Sequence, residues 1–457
     1  MPDAHSLSSE NHQQQLDDFI QKTTQLAENF LGYQTSQHVQ FDPALYPLLN
    51  LNLLNLGDAY TEGNFRVNAK EQEQAVLDFY ARHWNAPNPD TPNCATSYWG
   101  YITTMGSTEG NLFALWNARD YLTGGVPWFA EAQTNAPAKK QLPPVLLTSR
   151  ETHYSVAKAA HILGIALPSS FGYRDAQEKP APDFIGSDAS GAIAVDELVH
   201  WAELLFALGH PLIFSLNMGT TFKGGFDPVE EIVARLPQIF NNSSMRNYWI
   251  HIDAAICGNT LPWIEQCQAA DDWPFELHAE NFPHFDFRIP QVSSICASPY
   301  KWIGAPFPFG VYLTRGQFRL QPPVHPKYIG SPDSTFSGSR SGLACVYAWH
   351  YFATKTHAQH LEEVKALQKI VDYAYAELKK LEGRLWIDEK PFRVFAPNYL
   401  APMICFTQPN KNIIDLFSLA SEDTLHGTLS HIIILKQVTT TIIDRFVKHL
   451  KQEHHYE

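Results

Sequence analysis

Long apolar runs are missing from this 457-residue chain. With no stretch of about 18 consecutive apolar residues, it offers no segment suited to crossing a bilayer as a helix. Basic residues are scarce too: 33 Lys and Arg face 47 Asp and Glu, a net charge of −14. That balance repels a phosphate backbone and no local basic cluster offsets it, so nucleic acid is not expected as a partner. Cysteine is sparse, with Cys94, Cys257, Cys267, Cys296, Cys345 and Cys405 the complete set. None stands in a C-x-x-C pair or at metal-ligand spacing, so reduced, mostly buried thiols and no metal site are expected. The opening MPDAHSLSSENHQQQL has neither the basic nor the apolar region of a secretory leader, which points to a cytoplasmic protein with residues 1–16 as a disordered tail. Walker loops and GxGxxG patterns are also absent, so neither of those phosphate-binding devices is in use.

What is present is a globular composition, 44% hydrophobic and 18% charged. It is enough for a large core and two domains. Residues 17–90 read as an N-terminal helical segment, typified by EQEQAVLDFYARHW, whose apolar residues recur every three or four positions. Across 91–345 short apolar runs alternate with helical ones: YWGYITTM, PVLLTS, PLIFSLNMG, NYWIHIDAA, SSICAS and FGVYLTR. This rhythm predicts an α/β fold with a mainly parallel central sheet covered by helices. A long helix near 355–382 leads into a small C-terminal α/β domain over 346–457.

In such a sheet, ligands bind beyond the carboxyl ends of the strands, so residues placed there are the first candidates. YITTMGSTEGNLF supplies Ser107 and Thr108 at a helix start, where free N–H groups and the helix dipole suit a phosphate, or where the two hydroxyls simply cap the helix. TSRETHYSVAKAA supplies His153, NMGTTFKGG supplies Asn217, Thr220 and Thr221, and HIDAA supplies Asp253 and Ala255. SPYKWIGAPFPFG, 298–310, supplies Ser298 and places Lys301 in a stretch otherwise almost free of charge. A buried ammonium there costs several kcal/mol unless it is paired or neutralised, whereas a lysine lying on the surface reaches water with its head.

Taken in order, LNLGDAYTEGNFRVN, GYITTMGSTEGNLF, SRETHYSVAKAA, NMGTTFKGG, HIDAA, SPYKWIGAPFPFGVYLTR and YIGSPDSTFSGSRSG resemble the group II amino-acid decarboxylases that use pyridoxal 5′-phosphate (PLP), most closely the histidine and serine decarboxylase branch. The resemblance implies PLP fold type I, as in aspartate aminotransferase, a large PLP-binding domain over 91–345, and a homodimer acting on an amino acid. It implies Lys301 as the Schiff-base lysine, His153 stacked on the pyridine ring and near the substrate, and Asp253 paired with the pyridine nitrogen. Ser107, Thr108 and Ser298 would hold the phosphate, with Thr221 and Ala255 beside the cofactor. Tyr328 is a candidate for returning a proton to Cα, with a core or interface tyrosine as the alternative. The family usually carries histidine immediately before the lysine; here Tyr300 stands there, and tyrosine cannot carry a positive charge at neutral pH. The resemblance implies decarboxylation to a primary amine, histidine to histamine first and serine to ethanolamine second. Another reaction of fold type I, or a catalytically silent PLP-binding protein, stays open.

Overall fold

Six of the apolar stretches become strands of one sheet. In this computed structural model the described residues are 11–134, 136–137, 142–240, 247–275, 282–395, 398, 400–424 and 427–457. After a short strand β1 (Leu54–Leu56) and helix α2 (Lys70–His83) come β2 (Tyr98–Thr103), β3 (Val145–Thr148), β4 (Leu212–Asn217), β5 (Tyr248–Asp253), β6 (Ser294–Ala297) and β7 (Gly310–Arg315). Their order is β2-β7-β6-β5-β4-β3. Neighbours from β3 to β6 run parallel, and β7 is antiparallel to both of its neighbours. The expected mainly parallel sheet is therefore present. Its strands read as continuous apolar runs because both faces are covered, and β2, β3, β4 and β6 are buried at every position.

Register puts Asn217, Asp253 and Cys296 side by side at one level, the carboxyl ends of β4, β5 and β6. Helix α3 (Ser107–Leu122) crosses the sheet and buries residues all around its circumference. With α5 (Tyr154–Leu163) it forms a core in which Leu112, Leu115, Val156 and Ala160 meet Leu146, Ile213 and Trp249. Gly110 makes the close approach possible, since a Cβ there would lie 2.6 Å from that of Cys296.

The chain divides into two compact units, Val39–Gln368 with Pro397–Ala401, and Met1–His38 with Lys369–Ala396 and Pro402–Glu457. The break falls inside helix α11 (His357–Lys379), not at the expected 345, and the described residues before Val39 group with the C-terminal ones. Helix α1 (His12–Ala27) begins within the stretch 1–16 expected to be disordered, where Gln13 and Gln14 donate to Asp17 and Asp18 one turn on. Residues 1–10 lie outside the described residues. The C-terminal unit carries β12 (Met403–Thr407), β13 (Ala420–Thr424) and β14 (Gly427–Ile433) in an antiparallel sheet, with α13 (Thr440–Glu453) burying Ile443, Phe446, Val447 and Leu450.

In the larger unit β8 (Ser339–Ser341) pairs antiparallel with β1, and the buried ion pairs Arg340–Glu73 and Arg319–Asp58 fix the segments around it. Two buried histidines set an acid limit on the unit's stability. Burial lowers the pKa of His251 to about 4 and of His83 to about 3, from 6.5. Both rings are neutral when folded and bind a proton on unfolding, so their stabilisation is complete above pH 6.5 and is lost as pH falls towards the folded values. Each ring accounts for a loss of about 2 kcal/mol between pH 7 and pH 5. Urea unfolding at the two pH values checks this, and His83→Phe, which retains the apolar packing, is expected to remove its share; an unchanged pH difference in that variant contradicts the assignment.

Candidate active site

Three elements converge at the carboxyl ends of β4 to β6. Strand β5 ends on Asp253, which is 7% exposed. Its Oδ2 accepts from Asn111 Nδ2 at 2.7 Å and its Oδ1 from the Ala255 backbone N–H at 3.2 Å. His153 is the N-cap of α5 and its Nδ1 lies 2.7 Å from Ser155 Oγ. Lys301 sits in the short helix α9 (Pro299–Ile303), directly after β6. Burial holds the Lys301 amine below the usual lysine range, opposed by Asp253 and Cys296. Burial lowers the His153 pKa as well, with Asp253 acting against it and Lys301 and Lys158 adding to it. The three groups thus lie within electrostatic reach of one another. Their environment favours a neutral amine and a neutral imidazole near an acid, which is how proteins prepare a nucleophilic lysine.

The first turn of α3 is the fourth component. Gly106, at φ +62, precedes it as the N-cap and, being glycine, offers the helix no side chain of its own. Ser298 Oγ accepts from the Ser107 N–H at 2.8 Å and donates to Ser107 Oγ at 2.9 Å, while Thr108 is half-buried beside them. A Cβ on Gly106 would lie 3.0 Å from both Ser298 Oγ and the Tyr300 ring, so glycine leaves room for both. Tyr300, the residue immediately before the lysine, therefore packs against this turn. Below, Glu109 is fully buried and its carboxylate accepts from the backbone N–H groups of Thr104 and Met105, at 2.7 and 3.2 Å, locking the turn.

The family profile described as the pyridoxal-dependent decarboxylase conserved domain matches residues 65–408. The chain belongs to that family. It is a pyridoxal-phosphate-dependent amino-acid decarboxylase, and its fold matches solved members. The enzyme is 28% identical over 444 residues to a histidine decarboxylase of Solanum lycopersicum, covering 97% of this chain and 89% of that one. It is 28% identical over 441 residues to serine decarboxylase 2 of Oryza sativa subsp. japonica, covering 95% and 77%. Among solved structures, L-methionine decarboxylase from Streptomyces sp. 590, complexed with L-methionine methyl ester, superposes with a TM-score of 0.85 at 29% identity over 99% of this chain and 96% of that one.

The site's donor set fits the cofactor: a buried amine for an aldehyde, a buried carboxylate for a ring nitrogen, and a helix start with three hydroxyls for a phosphate. Among the residues singled out from the sequence, Lys301, His153, Asp253, Ala255, Ser298, Ser107 and Thr108 gather here. Thr221 lies half-buried in the loop after β4. Tyr328 does not join them within this chain; it is 83% exposed, and its carbonyl accepts from Asn64. In segment 334–342 the Ser337 Oγ lies 3.1 Å from Thr104 Oγ1, just before the first turn of α3. Sequence reasoning missed Asn111, Ser155, His251 and Glu109. One signal was available: Asn111 follows Ser107 by four residues, which places it one turn along the same helix face.

Proposed function

We propose that this decarboxylase attaches its cofactor through Lys301 Nζ and acts on histidine, releasing histamine. The observation behind the lysine assignment is its position: a buried amine directly after β6, depressed in basicity and within electrostatic reach of Asp253. When bound, pyridoxal phosphate supplies an electrophilic aldehyde carbon and a ring that draws the electron pair from Cα as CO2 departs. Lys301 contributes an amine that burial makes easier to deprotonate. Asp253, held by Asn111 and the Ala255 N–H, keeps a proton on the ring nitrogen facing it. His153 would cover the ring face and border the substrate, while Ser107, Thr108 and Ser298 would hold the phosphate and Thr221 and Ala255 would complete the cofactor's surroundings. Tyr300 offers the phosphate turn one hydroxyl and no charge; burial raises its pKa.

Histidine is preferred over serine on the likeness to histidine decarboxylases in a plant and in Acinetobacter baumannii. The similarity to L-methionine decarboxylase makes methionine a third substrate to test. Supplying histidine, serine, methionine and phenylalanine side by side and quantifying each amine decides among them. Histamine as main product is expected, with phenylalanine rejected by a large factor because polar groups arranged for an imidazole are left unpaired by a benzyl ring. Ethanolamine or the methionine-derived amine as main product overturns histidine.

We also infer a cytoplasmic homodimer. All six cysteines are free, and among the described residues no helix is long and apolar enough to cross a membrane. Tyr46, Leu49, Leu51 and Val67 are each about half exposed in the larger unit, an apolar surface suited to a second copy. A part for Tyr328 in returning the proton to Cα depends on that copy covering it. Dilution that yields monomer is expected to release cofactor, seen as loss of visible absorbance on protein in sedimentation runs; a monomer that retains cofactor at every concentration contradicts the assembly.

A further inference from the structure

Behind Asp253 lies a series of buried polar groups whose hydrogen-bonding direction is fixed by the carboxylate. Trp249 Nε1 can only donate, and it donates to Ser294 Oγ at 3.0 Å. Ser294 Oγ in turn lies 2.9 Å from His251 Nδ1, and His251 Nε2 lies 2.9 Å from Asn111 Oδ1. The amide of Asn111 is oriented independently by Asp253, an acceptor-only carboxylate that takes one hydrogen of Nδ2 at 2.7 Å. The second hydrogen of Nδ2 goes to Ser155 Oγ at 3.0 Å, and Ser155 Oγ lies 2.7 Å from His153 Nδ1. With Nδ2 turned towards Asp253 and Ser155, Oδ1 must accept from His251 Nε2, as it does from the Cys296 thiol at 3.2 Å. His251 is then the Nε2–H tautomer, its Nδ1 accepting from Ser294, whose oxygen still takes the indole hydrogen.

Carried forward, the direction decides the state of His153. His153 Nδ1 accepts the Ser155 backbone N–H at 3.3 Å and so carries no proton of its own, which leaves the Ser155 hydroxyl, already accepting from Asn111, to donate its hydrogen to Nδ1. We propose that this one-way chain of hydrogen bonds fixes His153 as the neutral Nε2–H tautomer, with Ser155 and Asn111 as positioning residues that tie its protonation to Asp253. Nδ1 meets two donors and has no place for a proton. Whatever faces Nε2 meets a hydrogen-bond donor, and that edge of the ring cannot act as a base. The buried, neutral state of His251 agrees with this direction, since burial disfavours its protonation. The functional consequence rests on the reading of His153 as a group beside cofactor and substrate, but the tautomer does not.

Nitrogen-15 spectra of the histidine rings in the holoenzyme test it, the His153 signals being identified by their loss in His153→Gln. Near neutral pH, His153 is expected to show an unprotonated, hydrogen-bonded Nδ1 and a protonated Nε2. Ser155→Ala removes the stronger of the two donors, so the Nδ1 resonance is expected to shift downfield while remaining unprotonated; Ser155→Thr restores the wild-type position. Asn111→Asp presents an acceptor to Ser155, whose hydroxyl turns away, and the Nε2–H population is expected to fall. A protonated Nδ1 in the wild-type enzyme, or a Nδ1 resonance unmoved in Ser155→Ala, overturns the proposal. Because the spectra report ring protons directly, they fail or succeed separately from the decarboxylase assay that tests the role of His153.

Discussion

Lys301→Ala is expected to leave no measurable CO2 release above background and no cofactor covalently trapped by borohydride. Among the described residues no other lysine is placed to substitute. Lys223 Nζ is engaged by Glu151 at 2.7 Å, and Lys158 Nζ lies 5.2 Å over the Tyr154 ring. Lys70 is the nearest competitor in chemistry, buried and lowered in pKa to about 8, but its Nζ donates to the carbonyls of Asp58 and Thr61 and holds a loop in place. Peptide mapping after reduction with borohydride gives the answer independently of turnover. A label on Lys70, Lys158 or Lys223 in the wild-type enzyme would show the assignment to be wrong.

Asp253→Asn is expected to keep the fold and retain cofactor while losing activity by several orders of magnitude. The substitution preserves shape, and the Asn111 amide at 2.7 Å still finds an oxygen to donate to. What disappears is the negative charge. A neutral amide cannot keep a proton on the ring nitrogen, and without that proton the ring is a poor acceptor for the electron pair left at Cα. The measurement pairs kcat with the visible spectrum of bound cofactor, so that loss of chemistry is distinguished from loss of binding. Turnover comparable to wild type, with cofactor bound, would remove Asp253 from its assigned part.

The sequence made the sheet legible because parallel strands buried on both faces leave uninterrupted apolar runs, and all six appear as β2 to β7. Asp253 and His153 were legible for a related reason, as polar residues standing where those runs stop. Asn111, Ser155 and His251 were not, because their meaning depends on β6 lying beside β5 and on α3 crossing above them, which periodicity does not encode. His251 even looks like an interruption in an apolar strand until Ser294 and Asn111 appear on either side of its ring. Strand β8 escaped notice because three residues pairing with a partner strand far back in the chain leave no local pattern. The polar start of α1 was misjudged for the opposite reason: side-chain pairs one turn apart support a helix that has no buried residue.

Helix α3 also acts as a ruler. Ser107 stands at the phosphate turn and Asn111 at Asp253, four residues apart on one rigid helix, about 6 Å along its axis. Gly110 presses that ruler against β6, so it has no room to slide or tilt without meeting Cys296. The two ends of the cofactor site are therefore not adjusted separately. Their separation is set by helical geometry, and a ligand whose phosphate and ring nitrogen are spaced differently can satisfy one end only by abandoning the other.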